Sequence, residues 1–243
     1  MDPTRVLPGT GKHRPATWIL GVGAARDSVC SRTMVPAPAA RNPGIQCGTF
    51  DQLVRREGLG TLWSALESGD ASAPALVAPE GARLTYGDLR AQVRRTADAL
   101  AGLGVRPGDR VALVLPNGVE AVVGFLGAAL AGTAAPLNPG YTEEEFRFYL
   151  EDTSARVVIV PQGGGEAARA ALPDGAVLVE ARQDPQSGFL LEQDGEVLSA
   201  GTAAEPAEPD IALILHTSGT TSRPKRVPLT HANLSASLAN IIA

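Results

Sequence analysis

Apolar positions in the 243-residue chain follow a repeating order from about residue 84 onward. Leu84-Thr85-Tyr86 reads as a short extended run, after which Asp88 can cap a helix. In that helix Leu89, Val93, Ala97, Leu100 and Leu103 recur at three- and four-residue steps and so share one face. Gly104 suits the left-handed position that ends a helix, and Arg106-Pro107-Gly108-Asp109 reads as a turn. Residues 111–115 are continuously apolar, as in a strand covered on both faces. Asn117 is expected to cap a second apolar helix reaching about Ala131, with Glu120 at its third position.

The alternation continues. Residues 133–137 read as a strand closed by Asn138-Pro139-Gly140, and Thr142 with Glu145 forms a capping-box pattern. The helix they open carries Phe146, Tyr149 and Leu150 on one side. Residues 157–160 predict a buried strand, 166–172 a helix and 176–179 another strand. Strand, helix, strand at these lengths implies an α/β fold with right-handed crossovers, a mainly parallel sheet and helices on both faces. Residues 180–210, with Gly, Pro and acidic side chains, are expected to form a short hairpin and a linker. No solenoid-type repeat is visible.

Composition narrows the function classes. The net charge of −5 argues against a nucleic-acid binder, which needs a basic surface. No stretch approaches the ~20 apolar residues of a membrane span. Two Cys and three His leave little for a metal centre or a disulfide framework. A soluble, cytoplasmic protein is the expectation. Residues 1–48 differ from the rest: Arg5, Lys12, Arg14, Arg26, Arg32 and Arg41 face only Asp2 and Asp27, among many Pro and Gly. They read as a disordered basic extension, with Cys30 and Cys47 as free thiols, and residues 49–243 as the folded part. Within the extension, residues 17–25 follow basic side chains and end in small ones, as in a signal peptide, but the run is short and broken by Gly21 and Gly23. Its Arg and Ser would also suit a transit peptide.

The chemistry concentrates near residue 217. An apolar run, Ile211-Ala212-Leu213-Ile214-Leu215-His216, leads into Thr217-Ser218-Gly219-Thr220-Thr221-Ser222-Arg223-Pro224-Lys225, and a second extended run, Arg226-Val227-Pro228-Leu229-Thr230, follows. Thr217, Ser218, Thr220 and Thr221 offer hydroxyl donors, while Gly219 removes a side chain that would block backbone approach. Successive backbone N–H groups in a turn form an anion-binding concavity. Lys225 adds a compact positive charge after the fixed backbone of Pro224. The Walker spacing is absent. A Ser/Thr/Gly-rich segment is more commonly a solvated turn; the strand before it, the terminal Lys and the helix start Thr230-His231-Ala232-Asn233-Leu234 set this one apart.

Residues 217–225, with Ile214 and Thr230-His231-Ala232-Asn233, resemble the phosphate-loop signature of the adenylate-forming (AMP-binding) enzymes. Leu84-Thr85-Tyr86-Gly87-Asp88-Leu89, Pro107-Gly108-Asp109-Arg110-Val111 and Leu137-Asn138-Pro139 resemble the start of the same fold, so the likeness runs over about residues 60–243. Leu215-His216-Thr217 and Ser222-Arg223-Pro224-Lys225 are most similar to the oxalate–CoA ligases of the acyl-CoA synthetase group. The resemblance implies a carboxylic acid substrate, ATP with Mg2+, and CoA: an acyl-adenylate forms, and the thiol then displaces AMP. It assigns phosphate donors to Thr217, Ser218, Gly219, Thr220 and Thr221 and the neutralising cation to Lys225, with Ser222 and Arg223 at the variable loop tip.

Two departures follow from the comparison with that pattern. The family usually has Gly after the loop lysine, where this chain has Arg226, a source of either strain or extra positive charge for phosphate. The likeness also covers only an N-terminal portion, without the regions that bind adenine and ribose, supply the metal-binding Glu or contribute the C-terminal Lys. The portion is expected to be inactive or nearly so alone; a non-catalytic nucleotide-binding or interaction protein is the alternative, and an unrelated α/β binding module a third reading. His216 and His231 read as structural before ligand-contacting, Glu143-Glu144-Glu145 as a favourable helix start, and Trp18 and Trp63 as isolated.

Overall fold

The computed structural model describes residues 60–77, 83–217 and 224–242, together with Ile19–Leu20. The expectations for residues 1–48 otherwise lie outside the described residues. Ile19–Leu20 (β1) pairs antiparallel with Pro74–Val77 (β2), which pairs with Arg83–Thr85 (β3), giving a three-stranded sheet; Leu62–Glu67 (α1) precedes it.

The main sheet is built from the alternation seen in the sequence. Tyr86–Gly102 (α2) leads to Arg110–Leu113 (β4), Val119–Ala131 (α3), Thr133–Pro136 (β5), Glu143–Thr153 (α4), Val157–Pro161 (β6), Glu166–Ala170 (α5) and Val177–Asp184 (β7). Gly188–Gln193 (β8) and Glu196–Val197 (β9) fold back antiparallel on one side. Ile211–Thr217 (β10), Lys225–Thr230 (β11) and His231–Ile242 (α6) complete the order. The eight strands run β11-β10-β5-β4-β6-β7-β8-β9, with a parallel centre from β10 to β7 and antiparallel strands at both sides.

Alternating strand residues supply two cores. Val111, Leu113, Val157 and Ile159 pack with α1, α2 and α3, whereas Ala112, Val114, Val158 and Val160 pack beneath Phe146 and Leu150 of α4 and Ala168 of α5. Helices therefore cover both faces, as the sequence implies. On α2 the expected stripe is buried: Leu89, Val93, Ala97 and Leu100 are at most 3 % exposed. Gly127 lets α3 approach Thr96 of α2, since a Cβ there would lie 2.5 Å from the Thr96 methyl.

Several local expectations change. Thr85, not Asp88, caps α2: its hydroxyl accepts from the Asp88 amide, and Asp88 bonds back from the third helical position. Asn117 does not cap α3, because the helix begins one residue later, after an extended Gly118 without a side-chain cap. α5 stops at Ala170, short of residue 172, and β7 runs on to Asp184, so the expected short hairpin becomes a three-strand meander. Trp63 is not isolated; it is buried, with the Arg94 guanidinium 4.4 Å from its ring centre. The turns at 106–109 and 138–141, the Thr142–Glu145 box and the left-handed Gly104 (φ +80°) form as expected.

Gly102 ends α2 against the segment before β10, where a Cβ would stand 2.0 Å from the Ser199 carbonyl oxygen. Helix propensity alone favours Ala over Gly by about 1 kcal/mol. Gly102→Ala is therefore expected to reverse that sign and destabilise the fold by about 1–3 kcal/mol in urea unfolding, through overpacking; a stabilised variant would show that the 199–201 segment yields.

Candidate functional site

Parallel pairing of Leu213 with Ala134 seats β10 beside β5, and the Thr133 hydroxyl donates to the Ile211 carbonyl at 2.6 Å. β4, β5, β6 and β10 thus end on the same side of the sheet, the side on which open parallel sheets bind ligands. β11 returns antiparallel to β10, and the final pair is Thr217 opposite Lys225. Residues 218–223, including the expected donors Ser218, Gly219, Thr220 and Thr221, lie outside the described residues. Their frame is described on both sides: Thr217 and Lys225 are exposed at the open end of the hairpin, with the Thr217 hydroxyl 3.5 Å from the Lys225 carbonyl oxygen. Among the described residues the Lys225 ammonium has no ion-pair partner.

Strand alternation places residues 216 and 226 on the opposite face from 217 and 225. His216, its side chain 6 % exposed, lies with Nε2 2.9 Å from Asp152 Oδ2. Its ring meets Tyr149 edge-on at 4.7 Å, and Tyr149 stacks on Tyr141. Burial, then the Tyr141 hydroxyl, pushes the Tyr149 phenol above its ordinary pKa. The structural reading of His216 fits these contacts. The apolar run is buried from Ala212 to Ile214, whereas Leu215 is 40 % exposed.

Arg226 settles the question its position raises. It is a strand residue with no left-handed backbone; among the described residues only Ser154 and Asp194 are non-glycines with positive φ. Its Nη1 donates to the Asp152 carbonyl at 2.6 Å, on the face away from Lys225. Arg110 donates Nε to the Thr153 carbonyl at 2.8 Å and Nη2 to the Ser154 carbonyl at 3.0 Å. Three consecutive carbonyls at the negative end of α4 are thus satisfied by two guanidiniums. A cleft of about 260 Å³ lies between these arginines, walled by Ile214 and Pro228. Asp152 was missed by sequence reasoning. It is 64 residues from His216 and 74 from Arg226, and nothing in its local pattern signals the contact.

The remaining candidates are structural. Thr230 and Asn233 bond reciprocally at 3.1 Å and open α6. His231, 1 % exposed, accepts at Nδ1 from the Leu62 amide at 3.2 Å and so ties α6 to α1. Burial holds its imidazole below the usual pKa, opposed by the Ala129 carbonyl and Asp210. Glu145 bonds the Thr142 amide and hydroxyl, which lower its pKa, and Glu143 pairs with Arg147 at 2.5 Å, so these carboxylates belong to the start of α4. Among the described residues no group of three His, Cys, Asp or Glu is placed to hold a metal ion, and no helix is long and apolar enough to cross a membrane.

Among the described residues the sheet is parallel at its centre, and its last two strands bring Thr217 opposite Lys225 at their open end, the topology of an α/β ligand-binding domain. Residues 64–243 match the family described as AMP-binding enzyme, and the chain belongs to that family. It is 42 % identical over 171 residues to a probable CoA ligase (CCL9) of Humulus lupulus, covering 65 % of this chain and 31 % of that protein. It is 41 % identical over 168 residues to an oxalate–CoA ligase of Arabidopsis thaliana, covering 66 % and 32 %. The ATP-bound crystal structure of MatB from Rhodopseudomonas palustris superposes with a TM-score of 0.62 at 28 % identity, over 75 % of this chain and 37 % of that one. The chain spans about a third of the length of the relatives it matches.

Because His231 is held neutral in the fold, the unfolded chain takes up a proton first as pH falls through 6.5. The stability this contributes is complete above that pH and lost toward the lower folded pKa, at up to about 1.4 kcal/mol per pH unit. Urea titrations at pH 7.5 and 5 are expected to show a larger loss in the parent chain than in His231→Asn. Identical losses would trace the acid sensitivity to other groups.

Proposed function

We propose that this chain is the N-terminal portion of an ATP-dependent acyl-CoA synthetase. A carboxylate oxygen of a small acid attacks the α-phosphorus of ATP, the bond to the bridging oxygen of the β-phosphate breaks, and pyrophosphate leaves. The CoA thiol then attacks the acyl carbon, and AMP departs as the thioester forms. The whole reaction belongs to a protein with the full length of the relatives. Mg2+ would accompany the ATP phosphates, and a cytoplasmic setting is part of this reading.

One observation supports it: Lys225, whose ammonium has no ion-pair partner among the described residues, stands in register with Thr217 at the end of β10. In this reading the Thr217, Ser218, Thr220 and Thr221 hydroxyls and the Gly219 amide donate to the β- and γ-phosphates. Lys225 offsets the charge that grows on departing pyrophosphate. Donors fixed in place before the reaction need no reorganisation as that charge develops. Arg226 takes no part in this, because its guanidinium is committed to α4.

Calorimetric titration with ATP, pyrophosphate and AMP tests the reading. Lys225→Ala is expected to weaken ATP and pyrophosphate at least about tenfold, or about 1.4 kcal/mol, and to change AMP little. Equal affinities in both proteins would remove the loop from the reading. ATP binding together with an absence of pyrophosphate exchange in the full-length protein, across a broad panel of acids, would instead favour a non-catalytic nucleotide-binding role.

A further inference from the structure

We propose that the C-terminal turn of α4 clasps both strands of the β10–β11 hairpin, with Asp152 as the positioning residue. Its carboxylate holds His216 on the strand entering the loop, and its main-chain carbonyl holds Arg226 on the strand leaving it. His216 and Arg226 are a cross-strand pair, one step before the Thr217–Lys225 pair at the loop mouth. Both bonds converge on one residue, so α4 fixes the strands relative to each other as well as to the sheet.

The hairpin needs such support. β10 meets β5 at Leu213 opposite Ala134, β11 is an outer strand, and β5 ends at Pro136, so His216 and Thr217 lie past its end. A two-stranded ribbon alone is marginally stable in water and free to twist. α4 is a firm anchor: Phe146 and Leu150 are at most 1 % exposed, and Arg110 grips the next two carbonyls of the same turn. Tyr149 of the same helix meets the His216 ring edge-on. Arg226 reaches α4 only because it has a long side chain; a glycine there has no group to make that bond. The unusual residue after the loop lysine is thus a second fastening, independent of the first.

The clasp rests on geometry alone, whereas its consequence for ligand rests on the reading of residues 217–225 as the holder of a triphosphate tail. Two measurements on the 243-residue chain separate them: amide hydrogen exchange in β11, and calorimetric affinity for ATP. Asp152→Ala and Arg226→Gly are each expected to speed exchange at Lys225 to Val227 about tenfold and to weaken ATP about three- to tenfold. β4 and β6 amides should keep their protection, which distinguishes local release from a damaged fold. Asp152→Asn, which keeps an acceptor for His216, and Arg226→Lys, which keeps a donor, should restore most of both. Unchanged β11 exchange in Asp152→Ala and Arg226→Gly overturns the clasp. Faster exchange with unaltered ATP affinity, while Lys225→Ala still weakens ATP, overturns the positioning role. Faster exchange in a chain whose ATP affinity ignores Lys225→Ala, or that binds no ATP, upholds the clasp and overturns the triphosphate reading instead.

Discussion

A single short seam, Leu213 opposite Ala134 with the Thr133 hydroxyl on the Ile211 carbonyl, joins the last two strands to the rest of the sheet. Thr133 and Ile211 are 78 residues apart in the chain, so closing the seam is a long-range event. Without it the hairpin would be held only by its side-chain bonds to α4 and by the tie of α6 to α1. With it, Thr217 and Lys225 stand at the edge where the parallel strands finish. The small side chains Ala112, Ala134 and Ala135, all 0 % exposed, let helices pack closely over the central strands beside this seam.

Much of this arrangement is legible in the residue order, for reasons that are local. Leu89, Val93, Ala97 and Leu100 must share a face in any helix, and residues 157–160 can be buried on both sides only in a covered sheet. Thr142 and Glu145 satisfy each other's neighbouring amides within one turn. The misread ends are those where two local solutions compete. Thr85 and Asp88 are each good caps, and their mutual bonds decide which residue stands outside the helix. Asn117 is a good cap one residue too early, and an extended Gly118 takes the place. β7 outruns its apolar segment because β8 pairs with it and covers side chains that alternate in polarity.

The site divides in the same way. The frame, Thr217 and Lys225 around a hydroxyl-rich loop, is readable because its residues are consecutive. The support is not, since Asp152 lies on another helix and its usefulness depends on sheet order. Arg226 shows the cost of judging a position by its family alone. A Cβ and a cation after the lysine suggest strain or a second phosphate contact, yet the residue is ordinary extended backbone with its charge at a helix carboxyl end. A substitution that looks like an intrusion at the ligand is a brace on the opposite face of the strand.

The same strand has a bearing on behaviour in concentrated solution. β11 is the outer rim of an eight-stranded sheet, and such a rim is a template on which a second molecule's backbone can add itself. Pro228 contributes no donor to that rim, and Lys225 and Arg226 put two like charges at its start. At the far rim β9 is only two residues long. Both borders are therefore poor templates for the edge-to-edge addition of further strands.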